Sequence, residues 1–291
     1  MLALVAVIIW GTTFASSKAL LVNGLTPADI MFYRFALAYA LMWAIAPRPL
    51  FADSLRDELM FLAAGLCGGS VYFLAENTAL IYTQTTNVAI IVATIPLLTA
   101  LLSRALVRST RLCNRFVAGS LLSLAGVLLY EMNGDFTFEI NMLGDSLAFV
   151  AALAWALYNI VVFRLYNTYS TRFITRKVFF YGLATLLPVW IAEGGGRNLA
   201  PLAVPTVIWN LLFLGLLASF ACYIMWNRAI SKIGSMKASN YIYLSPLVAF
   251  VTSQLAFDDE AITWASILGG AAILGGVYIA ENASHFGRKY K

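Results

Sequence analysis

Ten apolar runs follow one another along this sequence, and they constrain its fold more than any other feature. A helix of about 20 apolar residues is long enough to cross the roughly 30 Å hydrocarbon core of a bilayer. We expect the spans at residues 2–22, 29–46, 59–81, 86–107, 116–130, 142–163, 174–192, 206–227, 238–257 and 261–280. The sequence therefore predicts an all-α polytopic membrane protein with ten transmembrane helices.

The composition places nearly the whole chain in the membrane. Of the 291 residues, 61% are hydrophobic and only 11% are charged, whereas about a quarter of the residues in a soluble domain are charged. The net charge of +5 does not indicate a nucleic-acid partner, because Lys and Arg lie between the apolar runs and do not form one basic face. We therefore expect the lipid bilayer as a partner, and no nucleic acid.

A stretch of 67 residues recurs without a gap 150 positions later, so that residues 65–131 align with residues 215–281. Twelve aligned positions are identical: Gly65/Gly215, Leu66/Leu216, Asn77/Asn227, Ala79/Ala229, Pro96/Pro246, Leu97/Leu247, Ser103/Ser253, Gly119/Gly269, Leu124/Leu274, Gly126/Gly276, Val127/Val277 and Glu131/Glu281. Self-similarity at a fixed spacing indicates two copies of one structural unit. We accordingly divide the chain into a first five-helix repeat (1–131), an outer linker (132–141), a second repeat (142–281) and a basic tail (282–291).

Lys and Arg predict how the spans are oriented, because cytoplasmic loops carry an excess of these residues. With a cytoplasmic N-terminus, the inner loops and the tail hold sixteen of the nineteen, including Arg176 and Lys177, and only Lys18, Arg34 and Arg197 lie outside. We therefore expect both termini in the cytoplasm. Five spans in each repeat is an odd number, so the second repeat is predicted to be inverted relative to the first.

Several local patterns resemble the drug/metabolite transporter superfamily, in its EamA-type ten-helix branch. The segment IIWGTTFASSKALL at 8–21 is similar to the first span of that family, and PADIMFYRFALAYALMW at 27–43 is similar to the second, with its single Arg34. Further similarity lies at residues 77–80, 96–97, 119–127 and 154–156. The whole chain looks most like the YddG-type amino-acid exporters of bacterial inner membranes.

The resemblance implies a central cavity between two halves and transport by alternating access, and we expect a monomer. One departure is that the acidic residue often found after the fourth span is absent at 107–115, whereas Glu260 stands at the equivalent place in the second half. This departure puts in doubt a structural role for an acidic residue at the first-half position only.

Glu76 is read as the only carboxylate inside a span. A buried ionisable group in a membrane is a functional candidate, because burying its charge costs several kcal/mol by most estimates. Glu76 would bind a solute ammonium or titrate during export; alternatively, it is neutral and hydrogen-bonded between helices, or paired with Lys18 or Arg34. Tyr72 lies one helical turn away on the same face.

Mid-span aromatic and amide side chains suit an amphipathic solute, since they offer apolar faces, cation–π contact and hydrogen bonds. The predicted substrate-binding residues are Tyr72, Glu76, Asn77, Trp155, Tyr158, Asn159, Tyr223, Trp226, Asn227 and Tyr241. For Asn77 and Asn227, hydrogen bonding between helices and solute contact are equally good interpretations. Arg34 lies five residues after Asp29, and we expect it to fix a helix end and not to touch solute.

Pro96 and Pro246 occupy equivalent places in the two repeats. Proline deletes a backbone hydrogen bond and kinks a helix, so both are predicted hinges or cavity walls, with incidental tolerance as the alternative. The glycines at 119, 126, 269 and 276 are predicted to let helices approach closely.

We expect neither a cofactor nor a metal. The three cysteines have no metal-like spacing and the single histidine, His285, lies in the tail. An intramembrane enzyme would need a nucleophile with its base, or a metal set, and the sequence has neither pattern. A channel would rely on ring symmetry or carbonyl filters, whereas two inverted repeats favour a transporter.

The sequence therefore predicts a secondary transporter that exports neutral or zwitterionic amino acids, aromatic ones among them, and similar small metabolites. Protons are a candidate coupling ion. The alternative is an exporter of drugs or other metabolites with the same fold.

Overall fold

The computed structural model describes residues 1–47, 49, 51–107, 112–132, 140–197, 199–257 and 263–282. Several predictions lie outside these residues: Arg48, the charged loops at 108–111 and 258–262, most of the 132–141 linker, and the tail from 283 onward. The side chain of Lys18 is also outside the described part.

The described chain is a bundle of α-helices with short π and 3₁₀ segments. The α-helices are α1 Leu2–Gly11, α2 Thr13–Val22, α3 Pro27–Ile45, α4 Leu55–Gly65, α5 Val71–Tyr82, α6 Thr85–Val92, α7 Ile95–Leu106, α8 Asn114–Met132, α9 Met142–Leu165, α10 Thr171–Ala192, α11 Pro205–Leu212, α12 Cys222–Ile233, α13 Ser235–Asn240, α14 Ser245–Phe257 and α15 Trp264–Glu281. Two π segments, Leu66–Ser70 and Phe213–Ala221, join α4 to α5 and α11 to α12. Two 3₁₀ segments lie at Ala200–Ala203 and Tyr241–Leu244.

Eight helical stretches in the described residues are long and apolar enough to cross a membrane. They are Pro27–Ile45, Leu55–Tyr82, Thr86–Leu106, Asn114–Met132, Met142–Leu165, Thr171–Ala192, Pro205–Ile233 and Trp264–Glu281. The predicted helical membrane fold is confirmed. The first predicted span is divided at Thr12 into α1 and α2, and the ninth is divided by the Tyr241–Leu244 segment, so the count of ten spans stays a prediction.

Helix boundaries recur at the spacing of the sequence repeat. Four helices of the first half begin 150 positions before four of the second, in the pairs Leu55/Pro205, Thr85/Ser235, Ile95/Ser245 and Asn114/Trp264. The long third and eighth stretches also both contain a π segment. These correspondences are what a repeat requires, while the inverted orientation of the two copies stays a prediction.

Short polar residues set several helix starts. Thr26 and Asp29 form a capping box around Pro27 at the start of α3, with the Asp29 amide donating to Thr26 Oγ1 at 3.1 Å. Thr263 and Ser266 do the same for α15. Such boxes satisfy backbone amides that the first turn of a helix leaves unpaired, and they fix where the membrane helices begin.

Helices α8 and α15 pack closely through glycine. A Cβ atom added to Gly126 would lie 2.7 Å from the backbone nitrogen of Ile273, and one added to Gly119 would lie 2.6 Å from that of Ala280. Ser123 Oγ also donates to the Ile273 carbonyl at 3.3 Å. Because backbone meets backbone, no larger residue fits at these glycines, and the predicted close approach of helices occurs here.

Candidate functional site

Six aromatic side chains meet in the interior of the bundle, and we call them the aromatic cluster. Its members are Trp10 on α1, Tyr72 on α5, Trp155 and Tyr158 on α9, and Tyr223 and Trp226 on α12. Trp155 is central, with its ring centroid 4.7 Å from Tyr72 and 5.5 Å from Trp10. The structure thus brings together, from four helices, five predicted site residues and a sixth aromatic residue.

Tyr72 connects the aromatic cluster to a carboxylate. Its hydroxyl donates to Glu76 Oε1 at 2.7 Å, one turn further along α5. Both side chains are partly buried. Glu76 therefore has one carboxylate oxygen held by Tyr72, and its second oxygen can accept a hydrogen bond or bind a cation.

A directed chain of hydrogen bonds runs between α9, α12 and α10. Tyr158 donates to Asn227 Oδ1 at 2.7 Å, and Asn227 Nδ2 donates to Thr175 Oγ1 at 2.9 Å. Thr175 in turn donates to the carbonyl of Thr171 at 2.8 Å. Since a carbonyl can only accept, the direction of each bond is fixed from that end. Asn227 thus joins helices, one of the two roles open from sequence.

The second buried amide, Asn159, leaves a donor free. Trp226 Nε1 donates to Asn159 Oδ1 at 3.0 Å, and because an indole nitrogen can only donate, the partner must be the amide oxygen. Asn159 Nδ2 then has no hydrogen-bond partner among the described residues, and neither does Trp155 Nε1 one turn earlier. Both residues are buried, at 0% and 5% exposure. Two unpaired donors therefore stand beside the aromatic cluster, and a polar solute could supply their acceptor.

The π segment at Leu66–Ser70 shapes the site from the backbone. Tyr223 donates to the Gly68 carbonyl at 2.6 Å, and a Cβ added to Gly68 would lie 2.3 Å from the Tyr158 ring. Within the same segment Gly69 has non-helical dihedral angles of φ −130° and ψ −106°. A π segment widens the helical turn and is common at functional sites; here it presents a carbonyl and a glycine to two cluster residues.

Arg34 does not serve the helix end that the sequence suggested. Its Nε donates to Ser219 Oγ at 2.8 Å, and its guanidinium carbon lies 5.1 Å from the centroid of the Phe73 ring. Asp29, by contrast, accepts from Thr26 and from the indole of Trp190. Arg34 is 6% exposed, so this cation is buried beside the π segment that precedes α12.

Two predicted site residues lie outside this arrangement. Asn77 is partly buried, and no side-chain hydrogen bond from it is found in the described part of the chain. Tyr241 is buried, but its hydroxyl donates to Glu281 at the end of α15. Pro96 is in the first turn of α7, just after the break that follows α6, and Pro246 is the second residue of α14. Both prolines therefore stand at helix interruptions, and their hinge role stays a prediction.

The sequence interpretation missed a polar cluster between α4 and α10. Lys177 forms an ion pair with Glu58, which also accepts a hydrogen bond from Tyr181. Arg176 donates to the carbonyls of Ala46 and Pro49.

The structure extends two predicted spans towards their charged ends. Glu58, expected at the edge of the span at 59–81, lies in the first turn of α4, which begins at Leu55. Arg176 and Lys177 are not loop residues, because α10 begins at Thr171 and buries both, at 2% and 3% exposure. Charged residues near the start of each helix indicated that an ion pair was possible. No spacing rule, however, predicts that Lys177 pairs with Glu58, which is 119 positions away.

No group of three or more metal-ligating side chains occurs among the residues that the structure describes. The described site brings together one carboxylate, two donors without a partner in the described residues and a set of aromatic faces.

The family model described as the EamA-like transporter family matches residues 1–132 and 142–281. An uncharacterized transporter of Archaeoglobus fulgidus is 29% identical to this chain over 289 residues, covering 98% of each. A probable amino-acid metabolite efflux pump of Escherichia coli K12 is 25% identical over 288 residues, covering 96% of this chain and 93% of the pump. A solved crystal structure aligns with a TM-score of 0.78 over 97% of this chain and 98% of that one, at 19% identity, and so shares the fold.

Proposed function

Because the chain belongs to the EamA-like transporter family, we propose that it exports amino acids and similar small metabolites across the bacterial inner membrane by alternating access. The observation that carries the proposal is the Tyr72–Glu76 hydrogen bond beside the aromatic cluster. It offers an anionic oxygen for a solute ammonium and aromatic faces for an apolar side chain. The similarity to a probable amino-acid metabolite efflux pump supports the same solute class.

The unpaired donors add to this argument. Trp155 Nε1 and Asn159 Nδ2 are buried without a partner in the described residues. A buried unpaired donor costs about 1–3 kcal/mol, and a solute with an acceptor group would offset that cost on binding. A purely apolar solute would leave both donors unpaired. The site therefore favours amphipathic solutes over hydrophobic ones.

The sequence does not favour phosphorylated solutes. Residues 238–280, which cover the predicted ninth and tenth spans, contain neither Lys nor Arg. Phosphate recognition relies on several cationic donors. Neutral or zwitterionic amino acids, the aromatic ones among them, are the better match.

Alternating access would use the two predicted five-helix repeats as its moving parts. Pro96 and Pro246 lie at helix interruptions in equivalent places, where a change in backbone angle is easiest to accommodate. We propose that the repeats at 1–131 and 142–281 rock about the aromatic cluster, in a monomer with both termini in the cytoplasm.

Counterflow in proteoliposomes tests the function. Proteoliposomes that contain the purified protein are loaded with an unlabelled amino acid. Uptake of labelled Trp, Phe, Thr and Met is then measured with and without a pH gradient. We expect uptake above that of empty liposomes for the aromatic residues. Absence of flux for all four amino acids would overturn the proposal, and transport of lipophilic drugs in their place would favour the alternative exporter.

Glu76→Gln in the same assay tests the role of the carboxylate. If Glu76 binds the ammonium or titrates during transport, the variant has a lower flux than the wild type or no response to the pH gradient. The matched control is Glu193→Gln, which alters an exposed carboxylate at the end of α10. A Glu76→Gln protein with the wild-type rate and pH dependence would rule out both roles of Glu76.

A further inference from the structure

The buried guanidinium of Arg34 is only partly used within the protein. Its Nε donates to Ser219, and its Nη1 and Nη2 atoms have no hydrogen-bond partner among the described residues. A guanidinium has five N–H donors in a fixed planar fork. Arg34 therefore retains the pair of donors that is best suited to a carboxylate.

Glu76 does not neutralise Arg34 directly. No ion pair within 4.0 Å joins these two residues in the part of the chain that the structure describes. Yet Arg34 lies over Phe73, and the Phe73 ring is 5.0 Å from that of Tyr72, which holds Glu76. Arg34 and Glu76 are thus connected through the rings of Phe73 and Tyr72, and Tyr72 belongs to the aromatic cluster.

Such a separated pair is costly without a ligand. Arg34 is buried and Glu76 is partly buried, and the attraction between the two is weaker than in a direct ion pair. A ligand that carries both charges would compensate both residues at once. An α-amino acid has its ammonium and its carboxylate on one carbon atom, so it can contact two side chains that do not contact each other.

We propose that Arg34 binds the carboxylate of the solute whose ammonium is bound by Glu76. The inference rests on the proposed amino-acid transport and extends it by assigning each charge of the solute to one residue. The carboxylate accepts from Nη1 and Nη2, while Ser219 holds Nε and fixes the plane of the guanidinium. The aromatic cluster receives the side chain of the solute. This arrangement makes the protein selective for zwitterions.

The test uses three solutes that share the phenylalanine side chain: phenylalanine, phenylalaninamide, which has a neutral amide in place of the carboxylate, and 3-phenylpropionate, which lacks the ammonium. Each competes for labelled phenylalanine counterflow in proteoliposomes. Wild-type protein is expected to prefer phenylalanine over both analogues by about tenfold or more, since a charged hydrogen bond contributes that much.

The variants separate the two charges. Arg34→Gln is expected to lose the preference over phenylalaninamide and keep the preference over 3-phenylpropionate, and Glu76→Gln is expected to do the opposite. Arg228→Gln removes an exposed arginine on α12 and should retain both preferences. A crossed pattern of this kind is not expected from a general loss of structure.

Arg34→Lys is the variant to measure if Arg34→Gln does not fold. Lysine keeps the charge but not the planar fork, so the preference of this variant for phenylalanine over phenylalaninamide should lie between those of the wild type and of a protein without the cation. A wild-type preference over phenylalaninamide in Arg34→Gln, or in Arg34→Lys where Arg34→Gln does not fold, would overturn the assignment and leave amino-acid transport intact. Absence of phenylalanine counterflow in the wild type would instead overturn the proposed function itself.

Discussion

The ammonium of Lys177 on α10 forms an ion pair with the carboxylate of Glu58 on α4, in a chain whose sequence placed one in a loop and the other at a span edge. Tyr181 donates to the same carboxylate. Lys177 also lies 5.8 Å from the Phe61 ring centroid. The pair therefore ties two membrane helices together at the ends where both begin.

Breaking this pair should destabilise the protein through the partner left behind. We expect Lys177→Met and Glu58→Gln each to lower the midpoint of thermal unfolding in detergent. The double variant should lose less than the sum of the two, with a coupling free energy of about 1–3 kcal/mol. Lys232→Met, at an exposed position, is the control. Additive losses in the double variant would mean that the pair contributes nothing.

Tyr158→Phe should weaken the directed hydrogen-bond chain. The change removes the only donor found for Asn227 Oδ1 in the described residues and leaves that oxygen buried without a partner, a loss of about 1–3 kcal/mol. The expected result is a lower unfolding midpoint. Tyr82→Phe removes an exposed hydroxyl and should change little. Equal midpoints for the two variants would contradict the prediction.

Gly68→Ala should disturb the site without removing any functional group. The new methyl would lie 2.3 Å from the Tyr158 ring, so the ring or the π segment must move, and the bond from Tyr223 to the Gly68 carbonyl should weaken. We expect at least a severalfold loss of transport.

Gly275→Ala is the matched control for Gly68→Ala, because a Cβ at Gly275 meets nothing within 4 Å in α15. It should leave transport unchanged and raise stability slightly, since alanine favours a helix over glycine by up to about 1 kcal/mol. Normal transport by Gly68→Ala would show that the π segment does not shape the site.

Gly126→Ala should separate α8 from α15. The added methyl would meet the backbone nitrogen of Ile273 at 2.7 Å, and a backbone atom cannot rotate away as a side chain does. Overpacking of this kind typically costs about 1–3 kcal/mol, to be measured as a lower unfolding midpoint against the same Gly275→Ala control. A stability equal to that of the control would show that the helices adjust freely.

The sequence predicted the positions of the helices better than it predicted the contacts between them. The span boundaries follow from apolar runs, and the glycines at 119 and 126 indicated a close helix contact that the structure shows between α8 and α15. Trp155, Tyr158, Tyr223 and Trp226 were predicted to bind solute, and they meet in one cluster. Their role in binding solute stays a prediction.

Arg34 shows why the remaining contacts could not be predicted. Its partner Ser219 is 185 positions away, and its local neighbour Asp29 suggested a different role. In a membrane helix that is apolar around most of its circumference, no separate apolar stripe marks the face that turns inward, as it does in a soluble protein. The rotation of each helix about its axis is then decided by packing with its neighbours.

The sequence by itself determined that this chain is a helical membrane protein, because some twenty consecutive apolar residues can satisfy their backbone in lipid only within a regular structure. It also located the residues able to carry charge or hydrogen bonds within those helices. The tertiary structure alone decided that Tyr72 holds Glu76 beside Trp155, that Arg34 stands apart from Glu76, and that Lys177 pairs with Glu58. These relationships depend on the depth and rotation of whole helices, which are set by packing across the chain and not by any local pattern.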